Sequence, residues 1–236
     1  MSSTVSVWIE FILRWFHFMA GMMWIGHLYY FNYTQGVFLN STEVDNSAKI
    51  ALRTKLLPTA LWYFRWGALW TFVTGLLYLG SHAHSLGGWK AMSTSSYGTL
   101  ILVGALFGTT MLMNVWHVIW PKQRIVIENA NRLAKGESAL PAAADAGARA
   151  NVASRTNTLL SIPMLFFMGG ASHLPLPLTD NSNLMAFWIV VLLVWAVVEA
   201  NAIKGKVYNV INTVRQVTVS GFVLTGVLVG ALYLFL

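Results

Sequence analysis

The chain contains no cysteine and very little charge. Of its 236 residues none is Cys, and only 10% are Asp, Glu, Lys or Arg. The lack of cysteine excludes disulfides, iron–sulfur clusters, thiolate metal sites and covalently attached c-type haem. The lack of charge is equally informative, because soluble domains carry roughly 25% charged residues. We therefore predict a polytopic membrane protein.

Apolar and aromatic residues make up most of the chain. Hydrophobic residues account for 56%, and the 11 Trp and 13 Phe suit interfacial belts and lipid-facing surfaces. The formal net charge of +7 comes from basic residues that fall between the apolar stretches. We interpret these residues as topology signals and expect no nucleic-acid partner. The sequence also lacks a Gly-rich phosphate loop and a dinucleotide fingerprint.

Six apolar stretches reach the length of about 20 residues that a helix needs to cross a bilayer. The predicted fold is all-α, a membrane bundle of about six transmembrane helices that forms a single domain over residues 1–236. Lys and Arg concentrate in the first, third and fifth connections, which predicts that these connections are cytoplasmic and both termini lie outside. The third connection, residues 121–156, is expected to carry one or two surface helices. The stretches are 7–33, 59–80, 97–120, 157–174, 184–203 and 216–236.

The fourth stretch differs from the others in its composition. Pro163 and the Gly169-Gly170 pair interrupt it. Broken helices in membranes are tolerated where they line a site. We therefore expect a break in this helix beside His173, at its outer end.

Histidines recur in or near the apolar stretches, where polar side chains are costly and indicate a site. The predicted topology puts His17 and His173 in the outer half of the bundle, and His27 and His117 near its inner end. Ten residues separate His17 from His27, about 15 Å along a helix, so one haem could not use both. We predict one or two molecules of haem b, with iron held by His17 and His173, and a second site at His27 and His117.

The neighbours of His17 favour a haem ligand. Gly21, one turn later, would let a flat macrocycle approach, and Arg14, one turn earlier, could meet a propionate. Two alternatives remain open. His17 could instead be a buried histidine bonded to a backbone carbonyl, and Arg14 could pair with Glu10 at i,i+4.

The other histidines carry weaker signals. His27 and His117 lie near the interface, where an unliganded histidine costs little, so a ligand and a plain interfacial residue are both open. His173 is interpreted as a ligand or a substrate contact. His82 and His84 are expected to be solvated loop residues.

Two further ionisable residues fall inside apolar stretches. Arg65, within Trp62-Tyr63-Phe64-Arg65-Trp66, could hold a propionate or an anionic substrate. It could also pack in a cation–π contact or pair with Glu199. His173 and Glu199 are the candidates for a catalytic general base.

Eight runs of this sequence match one known family in order and spacing: Trp15–Gly26, Tyr29–Asn32, Arg65–Ala68, Asn114–Trp116, Ile119–Gln123, Arg155–Asn157, Ser161–Phe166 and Ser172–His173. They resemble the bacterial membrane-bound urate hydroxylases, the urate oxidase N-terminal family. The His17…Trp24-x-Gly26 pattern is also similar, over a shorter stretch, to haem-containing membrane protoporphyrinogen oxidases, which implies His17 as a haem b ligand.

The resemblance implies an integral domain of the bacterial inner membrane that oxidises urate and passes electrons to a fused c-type cytochrome. This sequence has no Cys-x-x-Cys-His motif, so we expect electrons to leave through a separate cytochrome partner. The alternative hypothesis is a non-catalytic accessory subunit of a larger membrane energy-transducing complex. Transport is less favoured, because the stretches carry few paired ionisable groups.

Overall fold

A computed structural model describes residues 3–179, 181–205 and 211–236, and all the regular structure in these ranges is helical. The prediction of an all-α fold is therefore confirmed. Three π-helical turns, Tyr30–Gln35, Leu52–Leu56 and Val115–Ile119, join successive helices without a break in the described ranges. The helices are α1 (Ser3–Tyr29), α2 (Gly36–Asn40), α3 (Asn46–Ala51), α4 (Leu57–Ser85), α5 (Trp89–Ser93), α6 (Ser96–Asn114), α7 (Trp120–Ala134), α8 (Ala143–His173), α9 (Leu184–Lys204) and α10 (Val214–Phe235).

Each of the six predicted apolar stretches coincides with a long helix. Among the described residues, three helical rods are long and apolar enough to cross a membrane: Ser96–Ala134, Leu184–Lys204 and Val214–Phe235. The other long helices, α1, α4 and α8, carry more charged, histidine or hydroxyl side chains, which lower their mean hydropathy.

Two predicted boundaries were wrong. Helix α4 continues to Ser85, so His82 and His84 belong to a helix and not to a solvated loop. Helix α8 runs unbroken from Ala143 to His173 with Pro163 inside it, so the expected break is absent from this described helix. Pro163 is buried among neighbouring helices, whose packing holds the helix together across the missing N–H.

The third connection also differs from its prediction. Most of residues 121–156 extend helices that begin or continue inside the bundle, instead of forming separate surface helices. Helix α7 continues α6 through the turn Val115–Ile119, and α8 begins at Ala143. Helix α7 packs against α8, which buries apolar side chains of α7. This packing favours a helix continuous with α6 over a separate surface helix.

Helix α8 lies at the centre of the bundle and packs against α6, α7, α9 and α10. Pro163 has no N–H, so the carbonyl of Leu159, four residues earlier, lacks its usual partner within the helix. A Cβ atom added to Gly221 of α10 would lie 3.0 Å from that oxygen. Glycine at this position therefore lets the backbone of α10 approach this carbonyl of α8 closely.

Helices α1 and α4 form an antiparallel pair beside this centre. A Cβ atom at Gly67 would lie 3.0 Å from the backbone nitrogen of Trp24, so the two backbones approach closely there. Trp24, Leu28 and Phe64 are buried in the same interface. This close pairing aligns the polar side chains of α1 with those of α4.

Candidate functional site

Three polar residues of α1 each contact a partner on α4, and successive pairs are about one turn apart along α1. Glu10, Arg14 and His17 are spaced i, i+4 and i+7, which puts them on one face of α1. We call these contacts the α1–α4 ladder. Its pairs are Glu10 Oε2 with His82 Nδ1 at 3.1 Å, Arg14 donating to the Tyr78 hydroxyl, and His17 Nδ1 donating to the Thr71 carbonyl oxygen at 2.8 Å.

The His17 imidazole faces the protein and is fixed in one tautomer. A carbonyl oxygen only accepts, so Nδ1 of His17 carries the proton and the neutral ring keeps its lone pair on Nε2. No hydrogen bond to Nε2 is present among the described residues. This arrangement is typical of metal-binding histidines, whose second nitrogen donates to a backbone carbonyl.

The space around His17 is tightly filled. A Cβ atom added to Gly75 would lie 2.9 Å from Cε1 of the His17 ring. A Cβ atom added to Gly21 would lie 3.9 Å from the methyl carbon of Thr71, which is an ordinary packing distance. The gap that the sequence suggested for a macrocycle beside Gly21 is therefore occupied by Thr71.

The Glu10–His82 end of the α1–α4 ladder joins a stack of aromatic rings. The His82 ring stacks on Tyr78 with centroids 5.6 Å apart and meets the Tyr97 ring of α6 edge-on at 4.7 Å. Ser85 adds a second bond by donating to Glu10 Oε1 at 3.2 Å. Glu10 therefore binds α4 instead of pairing with Arg14, and the stack links α1, α4 and α6.

His27 lines a surface groove of about 690 Å³ between α1 and the start of α4. Its Nδ1 donates to the Met23 carbonyl oxygen at 2.7 Å, and its ring stacks on Tyr63 with centroids 6.2 Å apart. Nε2 is again the nitrogen left for a ligand. The groove is lined by Met19, Met22, Met23, Gly26, His27, Tyr30, Leu56 and Ala60.

A second groove of about 520 Å³ adjoins the first, because both are lined by Met19 and Met23. Its walls are almost entirely apolar and aromatic. Neither groove is lined by His17, His117 or His173. The remaining wall residues are Ala20, Trp62, Tyr63, Trp66, Gly67 and Trp70.

The other predicted ligands lie apart from these grooves. His117 is exposed, and its Nδ1 bonds the Met113 carbonyl oxygen at 3.1 Å. His173 ends α8, is exposed, and makes no hydrogen bond or ring contact with the described residues. Within those residues the structure brings neither predicted pair, His17 with His173 or His27 with His117, into contact.

Arg65 adopts one of the alternatives that the sequence left open. Its Cζ lies 3.8 Å from the ring centroid of Trp120 and 5.9 Å from that of Trp116. Its Nε is buried without a hydrogen-bond partner in the described structure. Arg65 therefore makes cation–π contacts, and the described ranges contain no ion pair between it and Glu199.

Glu199 belongs to a buried polar network between α6, α8 and α9. Asn114 Nδ2 donates to Glu199 Oε2 and to Asn157 Oδ1, both at 3.0 Å, and Asn157 Nδ2 donates to the Met111 carbonyl oxygen at 2.9 Å. Asn114, Asn157 and Glu199 are 2%, 0% and 8% exposed. No salt bridge involves Glu199 in the described ranges, and the partner that fixes its carboxyl is the side-chain amide of Asn114.

The donor sets differ in what they can bind. No group of three His, Cys, Asp or Glu residues that could hold a bare metal ion occurs in the described part of the chain. The larger groove offers one imidazole nitrogen, three thioethers and apolar walls, a donor set that fits haem b. The surroundings of His17 fit a porphyrin less well. Gly75 packs directly against the imidazole ring, and Thr71 fills the space beside Gly21.

Sequence reasoning missed the α4 side of the α1–α4 ladder and the amide partner of Glu199. Gly67, Thr71 and Gly75 are spaced four residues apart, a pattern of small residues that indicates a close helix contact facing α1. That spacing could have identified Thr71 as the neighbour of a polar residue. Asn157 and Tyr97 carry no comparable signal, since their roles depend on which helices pack together.

Comparison with known proteins gives one match. The family model described as urate oxidase N-terminal matches residues 84–234, more than half of the chain. The matched segment contains His117, His173 and the Asn114–Asn157–Glu199 network, and it begins after His17 and His27. Neither a curated protein nor a solved structure matches the chain.

Proposed function

Because the chain belongs to the urate oxidase N-terminal family, we propose that it is the membrane-embedded part of a redox system. It oxidises a small substrate of the urate class and passes the electrons to a separate c-type cytochrome. The single observation that carries this proposal is the family match over residues 84–234. Three membrane-length helices support the embedding. The proposal includes a single domain of six spans in a bacterial inner membrane, with both termini outside.

We propose haem b as the electron carrier and His27 as its first ligand. His27 is oriented by the Met23 carbonyl oxygen and lines the larger groove, which supports this choice over His17. Met19, Met22 and Met23 line the same groove and offer thioether sulfurs. Haem b bound there would supply one-electron chemistry. The chain's own contribution would be to hold the ring plane against apolar walls and to fix the His27 tautomer.

Glu199 is proposed as the proton acceptor that accompanies oxidation of the substrate. Its carboxyl is buried, its position is fixed by Asn114, and none of its described partners is a cation. Burial disfavours the charged form of a carboxyl that has no cationic partner, so such a group can take up a proton from a substrate. His173, the other candidate base, is exposed and lacks a fixed partner in the described structure, so we rank it second.

The test of the haem site is a reduced-minus-oxidised visible spectrum of the detergent-purified protein. We expect b-type bands that disappear in His27→Ala and remain in His84→Ala, a matched control at an exposed histidine of α4. Both variants must retain helix content and elution volume. Bands that survive in His27→Ala but vanish in His17→Ala would contradict the groove site.

The test of the substrate is reduction of the bound carrier by urate. We expect urate to produce the reduced spectrum under anaerobic conditions, and Glu199→Gln to slow that reduction while leaving the dithionite-reduced spectrum unchanged. A protein that binds haem but is not reduced at any urate concentration would contradict the substrate assignment and leave the haem assignment standing.

A second candidate function is a non-catalytic subunit of a larger membrane complex. The observation that favours it is a stripe of large exposed side chains along one face of α1. Their spacing of three and four residues is typical of a helix that packs against another helix. Stoichiometric copurification of a folded, haem-free protein with such a complex would support this function over the first. The stripe consists of Trp8, Phe11, Trp15, Phe18 and Met22, which are 60%, 58%, 53%, 60% and 63% exposed.

A further inference from the structure

Two arginines lie close together where α4 meets α7. The Arg65 guanidinium is stacked on Trp120, with Cζ 3.8 Å from the ring centroid. Arg124 follows Trp120 by four residues on α7, so it lies one turn away on the helix face that Arg65 contacts. Arg124 is exposed and Arg65 is half-buried, so both can be reached from the surface.

No acidic residue neutralises this pair in the described structure. The ion pairs found there are Glu10 with His82, Arg132 with Glu137, and Arg149 with Asp145. Glu128, one turn beyond Arg124, forms an ion pair with neither arginine. Two like charges near one another are destabilising, and Nε of Arg65 is buried without a partner. The Arg65–Arg124 pair therefore has a positive charge that a bound anion could neutralise.

The aromatic residues around the arginines indicate the depth of the site. Trp62 and Tyr63 are exposed beside Arg65, and Trp116 and Trp120 flank it from the neighbouring rod. Trp and Tyr concentrate at the level of the lipid headgroups. Under the predicted topology this is the cytoplasmic face, where anionic phospholipids attract basic side chains.

We propose that Arg65 and Arg124 form a binding site for a phosphate group. Guanidinium groups bind phosphate through paired N–H donors, and the Trp120 ring holds the Arg65 fork in one plane before the ligand arrives. The phosphate is supplied either by the headgroup of an anionic phospholipid or by free phosphate. The site is independent of the haem and substrate proposals, because Arg65 and Arg124 line neither groove.

Binding to the full chain in detergent tests this site, with three probes measured separately. These are dioleoyl phosphatidylglycerol in mixed micelles, the phosphatidylcholine of the same acyl chains, and inorganic phosphate. We expect phosphatidylglycerol to bind more tightly than phosphatidylcholine, and Arg65→Gln or Arg124→Gln to weaken that binding by about fivefold to tenfold. Arg65→Lys should retain part of the affinity, because it keeps the charge and loses the fork.

The matched control is Arg149→Gln, which removes one positive charge that already has its own carboxylate, Asp145, at 3.2 Å. This variant should bind phosphatidylglycerol as the wild type does. If inorganic phosphate competes with phosphatidylglycerol in the wild type, both share the site; if phosphate alone binds in an Arg65-dependent way, free phosphate is the source. Equal phosphatidylglycerol and phosphate binding by the wild type and by folded Arg65→Gln and Arg124→Gln variants would overturn the proposal.

Discussion

His17 Nδ1 donates a hydrogen bond across the α1–α4 interface to the carbonyl oxygen of Thr71, 2.8 Å away. The bond satisfies one ring nitrogen and leaves the other with its lone pair. The two alternatives for His17 are therefore compatible, because a ring that donates from Nδ1 to a backbone carbonyl can still bind a metal through Nε2. Gly75 packs against the Cε1 and Nδ1 side of the same ring, where an added Cβ would lie 2.9 Å from Cε1 and 3.0 Å from Nδ1.

Substitution of Gly75 tests how tightly the His17 ring is held. A methyl group there would lie 2.9 Å from Cε1 of His17, so Gly75→Ala should lower the free energy of unfolding by about 1–3 kcal/mol. Gly80, on the same helix, has open space where its Cβ would be, so Gly80→Ala should raise it by up to about 1 kcal/mol. Thermal unfolding in detergent, followed by circular dichroism, measures both. Equal effects of the two variants would show that the ring has room to move.

The Glu10–His82 contact should contribute a measurable coupling energy. Both side chains are largely shielded, at 19% and 23% exposed, so we expect about 1 kcal/mol. His82→Phe keeps an aromatic ring between Tyr78 and Tyr97 and removes the nitrogen atom that bonds Glu10. A double-mutant cycle with Glu10→Gln, read from unfolding free energies, isolates the contact. Full additivity of the two substitutions would mean that Glu10 is held by Ser85 alone.

Two substitutions at Glu199 should separate its charge from its hydrogen bond. Glu199→Gln can still accept from Asn114, so stability should be unchanged or slightly higher. Glu199→Leu leaves the buried Asn114 N–H without that acceptor and should cost about 1–3 kcal/mol. Unfolding of each variant in the same detergent provides the comparison. A large loss of stability in Glu199→Gln would show that the carboxyl itself, rather than the hydrogen bond, holds α9 in place.

Removal of the Trp120 ring should loosen Arg65. Trp120→Leu is expected to destabilise the protein by about 0.5–1 kcal/mol more in the wild type than in the Arg65→Gln background, because only the former contains the cation–π contact. Trp89→Leu, at an exposed tryptophan of α5, is the control for loss of a ring at the surface. Identical costs in both backgrounds would mean that the stacking of Arg65 on Trp120 contributes nothing to stability.

The positions of the six long helices could be predicted from the sequence, because each coincides with an apolar stretch. The short helices α2, α3 and α5 lie outside those stretches and were not predicted. The predicted helix boundaries were wrong where a helix continues beyond its apolar stretch or across a residue that usually interrupts helices. α4 continues past its apolar stretch because His82 binds Glu10 of α1, and α8 continues past Pro163 because its neighbours hold it. The partners in the candidate site were harder to predict. The acceptor for His17 is a backbone carbonyl, which has no sequence signature, and Asn157 reaches Asn114 only once α6 and α8 have packed.

The carbonyl of Leu159, left without its helical donor by Pro163, has a consequence for the last helix of the chain. A Cβ atom at Gly221 would lie 3.0 Å from that oxygen and 2.5 Å from Cδ1 of Ile162, so a side chain there would crowd α8. Sliding α10 by one turn in either direction would bring Val217 or Thr225 to the same point, and either side chain would push the helices apart. Glycine at position 221 therefore favours the register in which α10 packs closest to α8, opposite the carbonyl that Pro163 leaves without its helical donor.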